Sequence, residues 1–403
     1  MIVLILLALL AAIPIMMQLA ATNDKNSRFQ LNYTAQANNM AEAGLLDAIN
    51  WFSRQNTQPV SSLTEGLAYP DAAFQPVSST DTTLSDTADA NIGIVEQYPI
   101  DSRGFLWGRY EVHKATENVG YPADPNSVHD ITDQRIPGQA AGSGTVWYLE
   151  STGYVFQNYN SSAPFNQAPN RVIASAKAAT EVRRVSLLLP DKAAVTVNNL
   201  GNGGSPGVAL ANNGRVVGGN YAAVAYFSGN TSGLSGSSLA TGTPVTQSVY
   251  TSSVPVLNPY NIFGLSASEF GQLADYSVTS AAQLPSSYPA QALVYINGNA
   301  VFTSSGSLTG GGILYVNGNL TVNSSASALF SGVVYVSGNV VIDGPATIAG
   351  ALIANGTVRL NGSGDAVNVE YNDGIVNETR QQVAQYRQSR SQYYTFTGTS
   401  GIK

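Results

Sequence analysis

The sequence predicts an α+β head followed by an all-β domain: a long N-terminal hydrophobic helix packed on an antiparallel sheet, then a parallel β-helix. Three observations carry this. The chain opens with MIVLILLALLAAIPIMMQLAA, in which only Gln18 is polar and no residue is charged. An apolar stripe at three- and four-residue spacing then continues from Phe29 to Phe52. In the second half, a unit of ~20 residues centred on an Asn-Gly turn recurs, a period that marks stacked repeats.

The apolar run would measure about 30 Å as a helix, the hydrocarbon thickness of a bilayer. It is long for a secretory signal, and no basic residue precedes Lys25. Pro14 predicts a kink around Leu10 to Pro14, because proline lacks an amide donor and clashes with the preceding turn. Past the run, Phe29, Tyr33, Ala37, Met40, Ala41, Gly44, Leu45, Ala48, Ile49 and Phe52 share one face of an otherwise wet helix. The first element is therefore placed over residues 1–55, with 1–21 as a membrane or filament core. The plainer reading is a simple N-terminal membrane anchor.

Residues 56–190 read as a β-sheet head. Asn56 to Asp89 is a loop of small polar residues and prolines, and Thr116 to Gly144 is a second long connection. Between and after them lie strand signals at Ile92–Ile100, Leu106–Ala115, Val146–Phe156 and Val172–Leu189.

Residues 191–374 read as a β-solenoid of four to six coils. Leu293–Phe302, Leu314–Val322, Val334–Ile342 and Leu352–Leu360 repeat as strand, turn, strand, and Val208–Val217 is an outlying copy. The turn glycines Gly298, Gly318, Gly338 and Gly356 stand 20, 20 and 18 residues apart. Asn-Gly also suits a two-residue hairpin, so a Gly-rich antiparallel meander is the competing arrangement. Tyr295, Tyr315 and Tyr335 occupy equivalent positions, as an internal stacking ladder or an exposed one. Residues 375–403 read as a capping helix over Ile375–Arg390 and a final strand over Tyr393–Thr397.

Composition narrows the chemistry. Charged residues are 11% of the chain, the net charge is −7, and there is no cysteine. An acidic chain with scattered basic residues argues against nucleic-acid binding, and the lack of thiols removes disulfides and zinc–thiolate sites. From Ala193 to Tyr371 there is no histidine and few acids, so no acid–base set for an enzyme is expected. His113 and His129 read as packing or surface residues, and no cofactor is expected. One loop, with Asp124, Asn126, Asp130 and Asp133, offers oxygen ligands of the kind calcium takes, though not in an ordered calcium-loop spacing. Several Asn-X-Ser/Thr triplets, including Asn160, Asn230, Asn319, Asn323, Asn355 and Asn377, leave glycosylation open.

The apolar run followed by Ala41-Glu42-Ala43-Gly44-Leu45 and Asp47-Ala48 resembles the start of mature type IV pilin-like proteins, most closely the PilX-type minor pilins. Tyr148–Tyr154 resembles a head-domain strand of the same group. The resemblance implies a structural subunit of an extracellular filament. It implies a homo-oligomer in a helical fibre, held in the inner membrane before assembly, matured by a prepilin peptidase and N-methylated, and handled by pilus assembly machinery. The solenoid would be displayed outward. A chain that starts at Met1 without a leader is what such maturation would leave. Met1, Ile5, Leu9, Pro14, Phe29, Tyr33, Glu42 and Leu45 are the implied assembly residues. Ile5 departs from the family's usual glutamate, which favours a minor or tip subunit, or a membrane-anchored adhesin binding a carbohydrate or surface through the solenoid.

Overall fold

The computed structural model describes residues 25, 29–53, 60, 92–113, 128–140, 142–198, 207–226, 234–235, 240–242, 249–251, 257–286 and 289–398. They form two compact units: residues 1–183 with 391–403, and residues 184–390.

In the first unit a helix, α1 (residues 29–53), lies on a six-stranded sheet. The chain runs through β1 (Ile92–Pro99), β2 (Leu106–His113), β3 (His129–Asp130), a short helix α2 (Thr132–Arg135), β4 (Val146–Gln157) and β5 (Arg171–Arg184). The sheet order is β1-β2-β4-β5 and then the chain's last strand, Tyr386–Gly398, with β3 beside β4. Pairs β1/β2, β2/β4, β3/β4 and β4/β5 are antiparallel.

The stripe on α1 is the buried one: Ala37, Met40, Ala41, Leu45, Ala48 and Phe52 are all covered. Close approach depends on a missing side chain in the sheet. A Cβ on Gly153 would lie 2.1 Å from the carbonyl oxygen of Ala37 and 2.4 Å from the amide of Ala41. At the far end the Phe52 and Trp147 rings meet at 5.1 Å. The Tyr110 hydroxyl donates to Asp47 of the helix.

The expected fold class needs correction here. The described chain is mostly β, and among the described residues no helix is long and apolar enough to cross a membrane. Helix α1 is amphipathic: Leu31, off the stripe, is 71% exposed, and Phe29, expected on the stripe, is itself 47% exposed at the start of the helix. The physical reason is in its sequence, where Gln30, Asn32, Asn39, Glu42 and Asn50 are exposed on the side away from the stripe and keep that side in water. Among the described residues there is accordingly no long hydrophobic N-terminal helix, and the helix that packs on the sheet is the amphipathic α1. Met1, Ile5, Leu9, Pro14 and the expected kink lie outside the described residues.

The second unit is a β-solenoid of about 6 turns. Its strands are β6 (Ala193–Val197), β7 (Val208–Val217), β8 (Ala222–Tyr226), β9 (Leu234–Ser235), β10 (Ala240–Thr241) and β11 (Val249–Thr251). After helices α3 (Pro259–Phe263) and α4 (Ala267–Leu273) come β12 (Tyr276–Val278), β13 (Ala292–Ile296), β14 (Ala300–Phe302), β15 (Leu308–Val316), β16 (Leu320–Val322) and β17 (Ala328–Val336). The unit continues through β18 (Val340–Ile342), β19 (Ala346–Ala354), β20 (Val358–Tyr371) and α5 (Asp373–Gln382). All pairings among these strands are parallel, which excludes the antiparallel meander.

The coils do not stack in chain order. Along one face the strands run β12, β13, β15, β17, β19, β6, β8, β11. On a second face the order is β14, β16, β18, β20, β7, β9. The coil that begins at Ala193 thus seals the coil that ends near Tyr371. Between them β20 is paired along both flanks, so no sheet edge is left open at that junction.

Identical positions in successive coils align. Val294, Leu314, Val334 and Leu352 form a fully buried column. Gly312, Gly332 and Gly350 form another, at the bend between two faces. Gly332 has φ +147°, and a Cβ there would sit 2.0 Å from the carbonyl oxygen of Gly312.

The helices are started by local chemistry. The Asn258 side chain accepts the Asn261 amide at the head of α3, and Ser266 with Glu269 makes a reciprocal cap on α4. Helix α5, capped by Asn372, lies against β17 and β19.

Candidate functional site

Tyr295, Tyr315 and Tyr335 stand on adjacent rungs, with ring centroids 5.1 and 4.8 Å apart in edge-to-face contact. Phe263 of α3 and Phe270 of α4 lie over them: Phe270 is 5.1 Å from Tyr315, and Phe263 is 5.6 Å from Tyr335. All three tyrosines are buried, so the ladder is an internal one. Burial pushes the Tyr335 phenol up to about 12, and the hydrogen bond from Asn355 Nδ2, at 3.0 Å, partly offsets this.

Beside this column runs an asparagine ladder. The Asn319 amide donates to Asn299 Oδ1 at 2.9 Å, Asn339 to Asn319 Oδ1 at 2.8 Å, and Thr357 to Asn339 Oδ1 at 2.8 Å. Each turn thereby satisfies the next, which is why Asn recurs at this place in the repeat. Asn299, Asn319 and Asn339 are exposed and present a regular row of side-chain amides.

At the β14 end of the second face lies a cleft of about 340 Å³. Its walls are the 281–286 segment and the turn Thr303–Ser307, with the exposed Val301 on its floor. No charged residue lines it; the polar groups are Ser and Thr hydroxyls. Strand β14 is terminal in its sheet among the described residues. Little in the sequence marked this place beyond the run Thr303-Ser304-Ser305-Gly306-Ser307, where the repeat pattern lapses.

The head holds a charged cluster that sequence reasoning passed over. Arg109 Nε donates to Glu111 Oε1 at 2.7 Å, and His113 Nε2 lies 3.0 Å from Glu111 Oε2. The Arg109 guanidinium also donates to Gln97 at 3.1 Å and stands 4.5 Å over the Phe165 ring. Burial by itself would raise the Glu111 carboxyl, but His113 and Arg109 hold it below its ordinary value. Arg109, Glu111 and His113 alternate along β2, and that two-residue period was the available signal. Glu150 is paired similarly, with Lys177 at 2.6 Å and the Tyr148 hydroxyl at 2.9 Å.

Of the possible calcium ligands, Asp124 and Asn126 lie outside the described residues. Both carboxylate oxygens of Asp130 accept backbone amides, from Thr132 at 2.7 Å and Gly144 at 2.6 Å. Burial pushes the Asp130 carboxyl up, and those two donors offset it only in part. Asp133 is exposed. Among the described residues no group of three His, Cys, Asp or Glu side chains converges as a metal site. His129 packs against the Tyr148 ring at 5.1 Å.

Of the assembly residues expected on α1, Leu45 is buried against the sheet, Tyr33 borders the cluster of Ala37, Val155, Ala174 and Ala176, and Phe29 and Glu42 are exposed.

The class defined by these features is a β-solenoid protein that also carries a helix-on-sheet unit. Comparison with protein-family models, curated proteins and solved structures finds no match.

Proposed function

We propose that this chain is a structural subunit of an extracellular, type IV pilus-like filament. The observation that carries the reading is the helix-on-sheet unit: α1 buries one stripe against an antiparallel sheet, with Gly153 cleared for its backbone. A subunit of this kind needs a rigid head and a sticky terminus. The uncharged run of residues 1–21 supplies apolar side chains for the second, each worth about 1.5–3 kcal/mol when buried. On this reading the partners are other copies of the chain, the inner membrane before assembly, the pilus assembly machinery and a prepilin peptidase. The location is the cell surface.

Cryo-electron microscopy of fibres sheared from native cells tests it. Repetition of this chain along the fibre supports the reading, and its absence from fibres ends it. A second reading, a minor or tip subunit that binds a carbohydrate through the solenoid, draws support from the uncharged, hydroxyl-lined cleft. On that reading the chain appears only at fibre ends.

A further inference from the structure

We propose that Asn160 is an N-glycosylation site whose first sugar rests on the Phe105–Tyr159 ring pair. Asn160-Ser161-Ser162 is an acceptor triplet. Its side-chain oxygen accepts the Ser162 backbone amide at 2.9 Å, an Asx turn that draws the third residue back over the asparagine. Asn160 is exposed, and its Nδ2 has no hydrogen-bond partner among the described residues. The nitrogen that must react is therefore presented to solvent with its carbonyl already anchored.

The loop is held ready for this. Asn170 Oδ1 accepts the amides of Tyr159 and Asn160 at 2.8 and 2.9 Å, and its Nδ2 donates to the Asn160 carbonyl at 2.8 Å. The Asn158 amide ties the same loop to the β1–β2 turn by donating to the Phe105 carbonyl at 2.8 Å. That turn brings Phe105, 56% exposed, to 6.5 Å from Tyr159, 59% exposed. Two solvent-facing rings next to the acceptor offer an apolar bed for the C–H face of a pyranose.

Other described triplets are less suited. Asn32 is inside α1. Asn355 donates its Nδ2 to Tyr335, and Asn361 donates to Asp343 at 3.1 Å. Asn377 sits in α5 with its Nδ2 toward Asp373. Asn319 is exposed but, unlike Asn160, has no exposed ring pair beside it among the described residues, and Asn323 is half-buried.

The donor is a polyprenyl-diphosphate-linked oligosaccharide. A bond forms between Asn160 Nδ2 and the anomeric carbon, the anomeric carbon–oxygen bond to phosphate breaks, the lipid diphosphate leaves with the electron pair, and the amide gives up one proton. The site rests on the extracellular reading, since such transfer occurs on the export side of a membrane.

The test is peptide mapping by mass spectrometry of the full chain isolated from its native cells, beside protease treatment of whole cells. Expected are a saccharide mass on Asn160, its loss in Ser162→Ala, and reduced occupancy in Phe105→Ala with the fold retained. A chain that protease reaches on intact cells but whose Asn160 is bare, or that carries sugar only at other triplets, overturns the site and leaves the filament reading standing. A chain that protease cannot reach overturns both.

Discussion

Replacing Gly332 by alanine tests the stacking logic of the solenoid most directly. The added Cβ would fall 2.0 Å from the Gly312 carbonyl oxygen, where contacts under 3.0 Å are essentially never seen. Neighbouring strands stand only about 4.8 Å apart, so the rung must yield by roughly 1 Å, a large fraction of that spacing. The residue also has φ +147°, a conformation an L-side chain resists. Backbone strain of about 1–3 kcal/mol and overpacking of a similar size give a destabilisation of about 2–6 kcal/mol. In a solenoid each rung stabilises its neighbours, so the loss falls on β15, β17 and β19 together. Hydrogen exchange of the full chain in detergent reads this out, with faster exchange of Val333–Val336 and of their partners in β15 and β19. Gly306→Ala is the control, because nothing lies within 4 Å of the added carbon there. If Gly332→Ala matches that control to within about 0.5 kcal/mol, close rung contact is not what the glycine column serves.

Other outcomes follow from the same geometry. Gly153→Val should lift α1 from the sheet at Ala37 and Ala41, cost about 2–4 kcal/mol, and shift Trp147 fluorescence. Asn339→Ala removes the acceptor for both the Thr357 amide and hydroxyl and should cost about 1–2 kcal/mol in urea denaturation. Glu111 holds its proton less tightly folded than unfolded, so its contribution is present above 4.5 and is lost as pH falls through the lower folded value. Glu111→Gln should flatten that acid limb, and at neutral pH it should cost about 3–5 kcal/mol by leaving the buried Arg109 charge underpaired. At the other extreme, the folded solenoid keeps the Tyr335 proton to about pH 12, so stability should fall as pH climbs above 10; Tyr335→Phe should weaken that slope in spectrophotometric titration.

Much of the architecture was readable because its causes are local. The three- and four-residue spacing on α1 named most of the buried face, from Ala37 to Phe52, though Phe29 at its start is exposed, and the Asn-Gly turns named the rungs. Where reading failed, the missing information was partner identity. The apolar opening run suggested a fold class built on a long hydrophobic helix, whereas the described helix is the amphipathic one. The Arg109–Glu111–His113 group went unseen because polar residues alternating in a strand look solvated, whereas Arg109 lies against the Phe165 ring and both Arg109 and Glu111 are buried.

The sequence by itself determined the ~20-residue repeat, since a coil with one apolar side cannot bury it alone and must stack; that the rungs pair parallel rather than as an antiparallel meander was settled by the strand register. It also determined the places of the turn glycines Gly298, Gly318, Gly338 and Gly356, whereas the column of Gly312, Gly332 and Gly350 emerged only from the register. Only the tertiary structure decided the order of stacking. Parallel rungs carry nearly the same Val, Ile and Leu pattern, so any coil could in principle seal any other. Which edge accepts β6 and β7 depends on contacts between residues more than a hundred positions apart, such as Leu352 with Val195 and Val358 with Val208. The same holds for the tyrosine ladder: its spacing lies in the repeat, but its burial depends on Phe263 and Phe270, which arrive from outside it.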